Sequence, residues 1–388
     1  MGSREFKSVG LMPMSVRMKR GAAGERGEPM LQRETGKVIE VWRRSQEIEL
    51  IRVETDERIE EGINYPSITG AVREGDEVLL NTTAVRLTLG SGGFHIVMAI
   101  LNRNEKERNA PSGHIMKGRY TPFQLAVQCV EEEEHPLYSP ETRGGDLQGF
   151  PILLFSLHSM LPASLLFIQK KKPNLKAVYI MTDGTALPIW LSNHVRSLKE
   201  EGLLYKTITA GQAFGGDLES VNVYSAMLAA RYSLGADVIL VGPGPGSVGT
   251  AHPFGYSAVE TGELINAVAA LNGTGIVVPR IQFQDPRPRH RGLSHHLLTS
   301  LSRIALAPAY LPIPLFAGEE KEWIKEQIEH YRLGEKHHLL WRPLEKWDGL
   351  VSMIEEYPIE TMGRGILEDP PFLQGIAVAS SFFLSILK

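Results

Sequence analysis

The stretch that decides the fold lies in the middle of this chain, at residues 237–250, which read DVILVGPGPGSVGT. Residues 237–241 are mainly apolar and β-branched, and a run rich in glycine and proline follows them. That pattern is typical of a buried strand that ends in a tight loop. A helix-like stretch follows at about 256–271. The sequence therefore predicts a strand–loop–helix unit here.

The same unit recurs elsewhere in the chain. Further strand-like runs lie at residues 176–181, 206–209 and 275–283, and the helix-like stretches that follow them lie at 187–201, 218–234 and 292–306. The repeat of roughly 30 to 35 residues is the spacing of βαβ units, whose strands run parallel. We therefore predict an α/β fold with a mostly parallel, doubly wound sheet.

The pattern changes towards the amino terminus. Residues 37–105 contain short β-rich runs separated by glycine turns, which predicts a small all-β domain, either a barrel or a sandwich. We assign residues 106–388 to the α/β ligand-binding domain. Residues 1–36 are polar and basic, and we interpret them as a disordered extension or an upstream start, with Met30 as the alternative start. A basic arm that binds nucleic acid is the competing interpretation.

Composition narrows the class of protein. The chain has 388 residues, of which 43% are hydrophobic, so it can build a sizeable core. Its net charge of −4 makes nucleic acid an unexpected partner. The single cysteine, Cys129, excludes an internal disulfide and fits a reducing compartment, so we expect a cytoplasmic protein.

Two apolar stretches raise the question of a membrane. Residues 150–168 contain His158 and Pro162 near their centre, and residues 372–387 are shorter than the roughly 20 residues that a spanning helix needs. We expect both to be buried core elements and expect no membrane partner. An interfacial helix at the carboxyl terminus is the alternative.

Polar, glycine-rich loops follow the predicted parallel strands. These loops lie at residues 182–185, 209–217, 242–250 and 285–291. Because the carboxyl ends of parallel strands share one edge of a sheet, we expect the loops to form one ligand-binding crevice.

The third loop suits an anion. Its glycines bring backbone N–H groups close to a ligand, since glycine has no Cβ. The ligand-binding residues predicted here, together with Gln212 of the second loop, are Gly242, Gly244, Gly246, Gly249 and Thr250. Simple tight turning of the chain is the competing interpretation.

Known nucleotide motifs do not fit this loop, so the cofactor stays unassigned. A phosphate-binding loop of the Walker type needs a lysine, which is lacking here. Residues 244–249 match the dinucleotide fingerprint by letter, but Pro245 has no N–H to donate. No acidic residue lies at the required distance after the loop.

The fourth loop is rich in charge. Arg287 and Arg289 can bind phosphate or carboxylate through their guanidinium groups. Asp285 could order an arginine or act as a base. His290 and His295 belong to residue types that move protons near neutral pH or bind metal, and the sequence leaves both open, so the metal is unknown.

Taken together, several motifs resemble one family. These motifs are residues 116–122 (MKGRYTP), 209–217, 242–250 and 289–296 (RHRGLSHH). The chain resembles, from about residue 36 to its end, a bacterial family known only as a domain of unknown function. The resemblance implies a bacterial cytoplasmic protein and brings no activity, cofactor or catalytic residue with it.

The residues themselves suggest a function. We expect an enzyme, a hydrolase or a transferase, that acts on a small anionic or phosphorylated substrate in the crevice. The candidate catalytic residues are Asp183, Asp217, Asp285 and His290. The alternative is a non-catalytic ligand-binding sensor or regulatory protein. A homo-oligomer stays open.

Overall fold

A computed structural model divides the chain into two compact units, Met1–Ala110 and Pro111–Lys388. The residues that the structure describes are 30–56, 58–90, 92–103, 113–250, 252–285, 287–345, 354, 357, 359–361 and 364–387. Residues 1–29 of the predicted extension lie outside the described residues, whereas its last four, 33–36, belong to a strand of the first unit rather than to a disordered segment.

The first unit is a closed barrel of five strands. Its strands are β1 (Arg33–Arg44), β2 (Glu49–Glu54), β3 (Ile59–Asn64), β4 (Glu77–Asn81) and β5 (His95–Ile100), and its short helices are α1 (Pro66–Thr69) and α2 (Thr83–Arg86). The order is β1-β2-β3-β5-β4, and β4 pairs with β1 to close the barrel. The β3–β5 contact is parallel and the other pairs are antiparallel.

This strand order is that of the five-stranded OB barrel. Strand β1 is long enough to pair with both β2 and β4, and two register shifts along it bend it around the barrel. Alternate apolar side chains, such as Val53 and Leu80, fill the interior. The predicted small β domain is thus a barrel, and β3 is a strand that the sequence pattern did not reveal. The fold alone assigns no function.

The second unit is built on a large parallel sheet. Its strands are β6 (Ile115–Lys117), β7 (Leu125–Val127), β8 (Pro151–Leu154), β9 (Ala177–Thr182), β10 (Lys206–Ala210), β11 (Leu218–Ser220), β12 (Val238–Pro243), β13 (Thr274–Val277), β14 (Ile281–Gln282), β15 (Gly292–Leu293), β16 (Tyr310–Pro314), β17 (His338–Arg342), β18 (Glu360–Thr361) and β19 (Arg364–Gly365). Its helices are α3 (Met160–Lys171), α4 (Asn193–Glu200), α5 (Val223–Tyr232), α6 (Glu260–Ala270), α7 (His295–Thr299), α8 (Gly318–His330) and α9 (Pro370–Ile386).

The sheet has eight strands in the order β11-β10-β9-β12-β8-β13-β16-β17, and every pair is parallel. Helices α3, α4 and α9 pack their apolar residues on one face, and α5, α6 and α8 pack theirs on the other. The central strands are buried on both faces, which explains their unbroken apolar runs. The predicted doubly wound α/β fold is confirmed.

Two details differ from the sequence pattern. Strand β8, hidden in the apolar run 150–168, lies between β12 and β13 at the centre of the sheet. The predicted strand 275–283 is two strands, because Pro279 cannot donate to a ladder. Strand β13 stays in the large sheet, whereas β14 pairs with β15.

The apolar stretch near the carboxyl terminus is the core-facing helix α9, with Phe372, Ile376 and Phe383 almost wholly buried. Within the described residues, none of the helices combines the length and apolar character that a membrane span requires.

Candidate functional site

Three of the four polar loops follow β9, β10 and β12 at the carboxyl edge of the large sheet, whereas the fourth, 285–291, joins β14 to β15. Strands β9 and β12 are neighbours in the large sheet, yet the helices that follow them, α4 and α6, pack on opposite faces. Because the loops after β9 and β12 lead to opposite faces of the sheet, they leave a crevice between them at the carboxyl ends of these strands.

Asp183 comes directly after β9 and is exposed. Its Oδ2 accepts a hydrogen bond of 2.8 Å from the backbone N–H of Gln212. The side-chain Oε1 of Gln212 in turn accepts one of 3.0 Å from the N–H of Gly118. The structure thus joins the first two loops, with Gln212 occupied as a link between segments.

A buried lysine holds this corner together. The ammonium of Lys117 is 1% exposed and donates to the carbonyls of Thr209 (2.9 Å) and Ala213 (2.6 Å) and to Oε2 of Glu219 (2.7 Å). All three donors of the ammonium are therefore used. Lys117 anchors the loop that carries Gln212.

Glu260 is a candidate acid–base residue that the sequence pattern did not reveal. It begins α6, and its Oε1 accepts a hydrogen bond of 2.9 Å from Oγ1 of Thr182, the last residue of β9. Burial, together with the nearby Asp183 and Glu263 carboxylates, raises the pKa of Glu260 to about 7, although the Thr182 hydrogen bond opposes the shift. The sequence feature that could have indicated Glu260 is its position shortly after the glycine-rich loop.

The glycine-rich loop 242–250 connects two parts of the crevice. A Cβ on Gly244 would lie 3.3 Å from Oγ1 of Thr185, just after Asp183. A Cβ on Gly249 would lie 3.6 Å from Cε1 of His296. Gly246, with φ +86°, turns the exposed part of the loop between them. Glycine is needed here for close approach and for the turn.

Hydrogen bonds also tie down both ends of this loop. The Thr250 hydroxyl and N–H both donate to the carbonyl of Gly255, at 3.0 and 2.7 Å. At the other end, Gly242 is buried, and its missing Cβ leaves room for the ring of Phe155. Gly242 and Thr250 therefore help to fix the conformation of the loop at its two ends.

A buried polar cluster supports the start of the loop. The carbonyl of Pro243 accepts from the Tyr179 hydroxyl (2.9 Å) and from Nδ1 of His158 (3.2 Å). Because Nδ1 must then carry the hydrogen, Nε2 accepts from the hydroxyl of Ser192 at 2.6 Å. Burial first, then the neighbouring His194, lowers the pKa of His158 to about 3. The cluster is neutral and satisfied, which suits a structural role.

Three histidines meet on the other side of the loop. The ring centroids of His290, His295 and His296 lie 4.0 to 5.4 Å apart. Tyr256 stacks on His296 at 3.9 Å and donates from its hydroxyl to the backbone carbonyl of His296. Nε2 of His295 and Nε2 of His296 are buried and find no hydrogen-bond partner among the described residues.

The imidazoles of this histidine cluster are uncharged at neutral pH, and the nearby arginines make their surroundings electropositive. Burial first, then Arg280 and Arg287, lowers the pKa of His290 to about 3. Burial first, then His295 and Arg280, lowers the pKa of His296 to about 3, and the pKa of His295 is lowered too. Three neutral imidazoles thus lie close to buried Arg280, which is 4% exposed.

Asp285 and Arg287 form a two-pronged ion pair. Nε of Arg287 donates to Oδ1 (2.9 Å) and Nη2 donates to Oδ2 (2.8 Å), while the Arg287 N–H also bonds to Oδ1. These contacts hold the pKa of Asp285 far below its ordinary value. Of the two predicted roles of Asp285, the geometry favours ordering the arginine. Arg289 is exposed on the same short loop.

Asp217 is not brought to the crevice. Its Oδ2 accepts from the N–H and hydroxyl of Thr207, and its Oδ1 accepts from Lys199 at 2.9 Å. Thr207 lies four residues before Gly211, roughly 13 Å back along β10 from the turn that touches Asp183. Asp217 is the last residue of the polar loop, directly before β11, and the register of β11 against β10 sets it beside Thr207.

The described residues contain no group of three or more His, Cys, Asp or Glu side chains arranged to hold a metal ion. Arg280 and Arg289 lie near the rings of His295 and His296, whose Nε2 atoms have no hydrogen-bond partner among the described residues.

The fold and this crevice define a class: a doubly wound α/β protein with a polar crevice at the carboxyl edge of its sheet. Within that class, the chain belongs to the family described as a protein of unknown function, DUF3866, whose model matches residues 61–380. The match begins in β3 and ends in α9, so the family resemblance from sequence is confirmed. No curated protein matches the chain.

Proposed function

We propose that this chain is an enzyme that hydrolyses a small anionic substrate, phosphorylated or carboxylated, or transfers a group from it. One observation carries the proposal: loop 242–250 packs at one end beside the turn that contains Asp183, and at the other against His296. The carboxyl pair of Asp183 and Glu260 and the cluster of histidines with their neighbouring arginines thus border the same glycine-rich loop. Convergent groups of opposite character in one crevice are the usual arrangement of an active site.

The cationic side would hold the anion. Arg287 already has its guanidinium oriented by Asp285, and the buried Arg280 adds positive charge near the three histidines. A neutral imidazole can donate one N–H, and an oxyanion would provide acceptors for the unpartnered Nε2 atoms of His295 and His296. Charge-assisted hydrogen bonds of this kind are among the stronger ones in proteins.

The carboxyl side would move the proton. With a pKa of about 7, Glu260 populates both protonation states near neutral pH. It can take a proton from an attacking water or hydroxyl and return it to the leaving oxygen. Burial, with a smaller contribution from Asp183 on the neighbouring loop, keeps that pKa raised. His290, with a pKa of about 3, stays unprotonated at neutral pH, so we assign it to binding.

The test separates binding from turnover. Inorganic phosphate binding is measured by equilibrium dialysis, and turnover is measured on a panel of phosphate monoesters, phosphate anhydrides and carboxylate-bearing esters. Glu260→Gln should lower turnover about 100-fold or more and leave phosphate binding nearly unchanged, as expected for loss of a general acid–base group. Arg287→Met should weaken phosphate binding instead.

Matched controls are available elsewhere in the same unit. Glu326, exposed on α8, and Arg291, whose guanidinium stacks on Trp323, should tolerate the same substitutions. Phosphate binding without turnover of any member of the panel would assign a sensor instead. If the wild-type chain neither binds phosphate nor turns over a substrate, the proposal is wrong.

The cytoplasm is the location we propose for this enzyme. Its single cysteine, Cys129, is buried and free. Burial, reinforced by Glu131, raises the pKa of the Cys129 thiol to about 12, so it stays protonated. A free thiol fits a reducing compartment. Fractionation of the native cells would test the location.

A further inference from the structure

A second cavity lies away from the crevice, beside the edge strand β11. It measures about 230 Å³ and lies between segment 130–143 and helix α5. Val130, Leu228 and Ala229 provide apolar walls, and Glu131, Tyr138 and Ser225 provide polar ones. We infer that this cavity binds a small primary amine, as its ammonium ion, with a short apolar tail. The inference is independent of the proposed function of the crevice.

Glu131 is the residue that selects the charge. Its Oε1 accepts hydrogen bonds from the N–H of Val221 and from the hydroxyl of Ser225, both at 2.7 Å. Its Oε2 is buried and has no hydrogen-bond partner among the described residues. One half of the carboxylate is therefore anchored, and the other half lacks a donor. A carboxylate only accepts, so the missing group must donate.

No cation of the described chain neutralises Glu131. The nearby Arg143 forms its ion pair with Glu133, at the rim of the cavity, where both side chains are about two-thirds exposed. Within the described residues, no lysine or arginine forms an ion pair with Glu131. An ammonium ion provides both the charge and the hydrogen that Oε2 lacks.

Tyr138 supports the same ligand. Its hydroxyl is also buried without a partner among the described residues, so it can accept from a second ammonium hydrogen. The apolar walls then leave room for a short alkyl chain rather than a second polar group. An anion would be repelled by the Glu131 carboxylate. A neutral alcohol could donate a hydrogen bond to Oε2 but would not neutralise the charge.

Isothermal titration of the full chain tests the inference with three probes of equal length: n-butylammonium, n-butanol and butyrate. We expect n-butylammonium to bind about tenfold or more tightly than either of the others, the size of one charge-assisted hydrogen bond. Glu131→Gln keeps the anchoring oxygen and should weaken n-butylammonium binding by about the same factor. Glu133→Gln, the matched control at the rim, should bind n-butylammonium like the wild type.

The inference fails if n-butanol binds as well as n-butylammonium, if Glu131→Gln leaves the affinity unchanged, or if no probe binds. Thermal unfolding of each variant shows whether it folds. Should Glu131→Gln not fold, the comparison of the three probes on the wild-type chain decides. Because phosphate binding and turnover are measured in the other crevice, a failure here leaves that proposal standing, and the reverse holds too.

Discussion

Glu260 and Thr182 are 78 residues apart in the chain, and a hydrogen bond of 2.9 Å joins their side chains across the crevice. Thr182 ends β9, and Glu260 begins α6 directly beyond the segment that follows the glycine-rich loop. This contact therefore connects two of the loops that the parallel sheet gathers at one edge. It also places a partly buried carboxyl next to Asp183, which gives the crevice a group that titrates near neutrality.

Glu260→Gln should stabilise the fold at neutral and alkaline pH. Burial raises the pKa of Glu260 from 4.5 to about 7, so the folded chain holds this proton more tightly than the unfolded chain. The resulting stability is fully present below about pH 4.5 and is lost as the pH rises through 7. Glutamine cannot lose a proton, and we expect it to gain roughly 2 kcal/mol over glutamate between about pH 5 and 8.

Urea unfolding of both proteins at those two pH values measures this difference. Glu326→Gln, at an exposed position on α8, should show little difference from the wild type at either pH. Equal stability curves for Glu260→Gln and the wild type would mean that Glu260 titrates like an exposed acid.

Acid should unfold the second unit through its buried histidines. Burial lowers the pKa of His158, His290 and His296 from 6.5 to about 3, and that of His194 to about 4. The unfolded chain takes up these protons near pH 6.5, so the stability is present above that pH and falls as the pH drops towards 3. Each histidine contributes a slope of up to about 1.4 kcal/mol per pH unit.

Unfolding free energies at about pH 7, 6, 5 and 4 measure this slope. The double variant His290→Asn with His296→Gln should show a shallower dependence than the wild type. A stability that stays level down to pH 4 would contradict the prediction.

Lys117→Met should destabilise the second unit strongly. The substitution leaves the Glu219 carboxylate without its cation and frees the carbonyls of Thr209 and Ala213. Loss of one partner from a buried ion pair costs about 3 kcal/mol or more. Adding Glu219→Gln removes the stranded charge and should recover part of that loss. Chemical unfolding of the single and double variants gives both numbers, and additive effects would show that the pair is not coupled.

Two glycines of the same loop should respond differently to alanine. A Cβ on Gly242 would lie 2.5 Å from the ring of Phe155, so Gly242→Ala should cost about 2 kcal/mol through overpacking. A Cβ on Gly246 meets nothing within 4 Å, and its cost should be nearer 1 kcal/mol, from its φ of +86° alone. Thermal unfolding ranks the two variants, and the reverse order would show that the strand end near Phe155 relaxes easily.

Much of the α/β unit could be predicted from local pattern. Apolar runs such as 237–241 mark strands because burial on both faces needs unbroken apolar residues. Regular alternation with helices predicts parallel strands because each crossover helix returns the chain to the edge of the sheet where the previous strand began. The same logic predicted that the loops would share an edge. The sequence pattern did not reveal β8, because its four residues form one apolar run with the helix α3 that follows them.

The candidate site depended more on distant contacts. Asp217 looked like a crevice residue because its loop is polar, but the register of β11 against β10 sets it beside Thr207. For Asp285 the sequence left two roles open, ordering an arginine or acting as a base, and its two-pronged pairing with Arg287 favours the first. Glu260 was not among the candidate residues, because nothing local distinguishes it from other acidic residues in the first turn of a helix.

By itself, then, the sequence determined the class of fold, the small β domain and the edge of the sheet where polar loops gather, because each follows from the spacing of residues near one another in the chain. The tertiary structure alone decided the strand order, and with it which side chains meet. Contacts such as Thr182 with Glu260 depend on where a strand is inserted in the sheet, and hydrophobic periodicity carries no record of that choice.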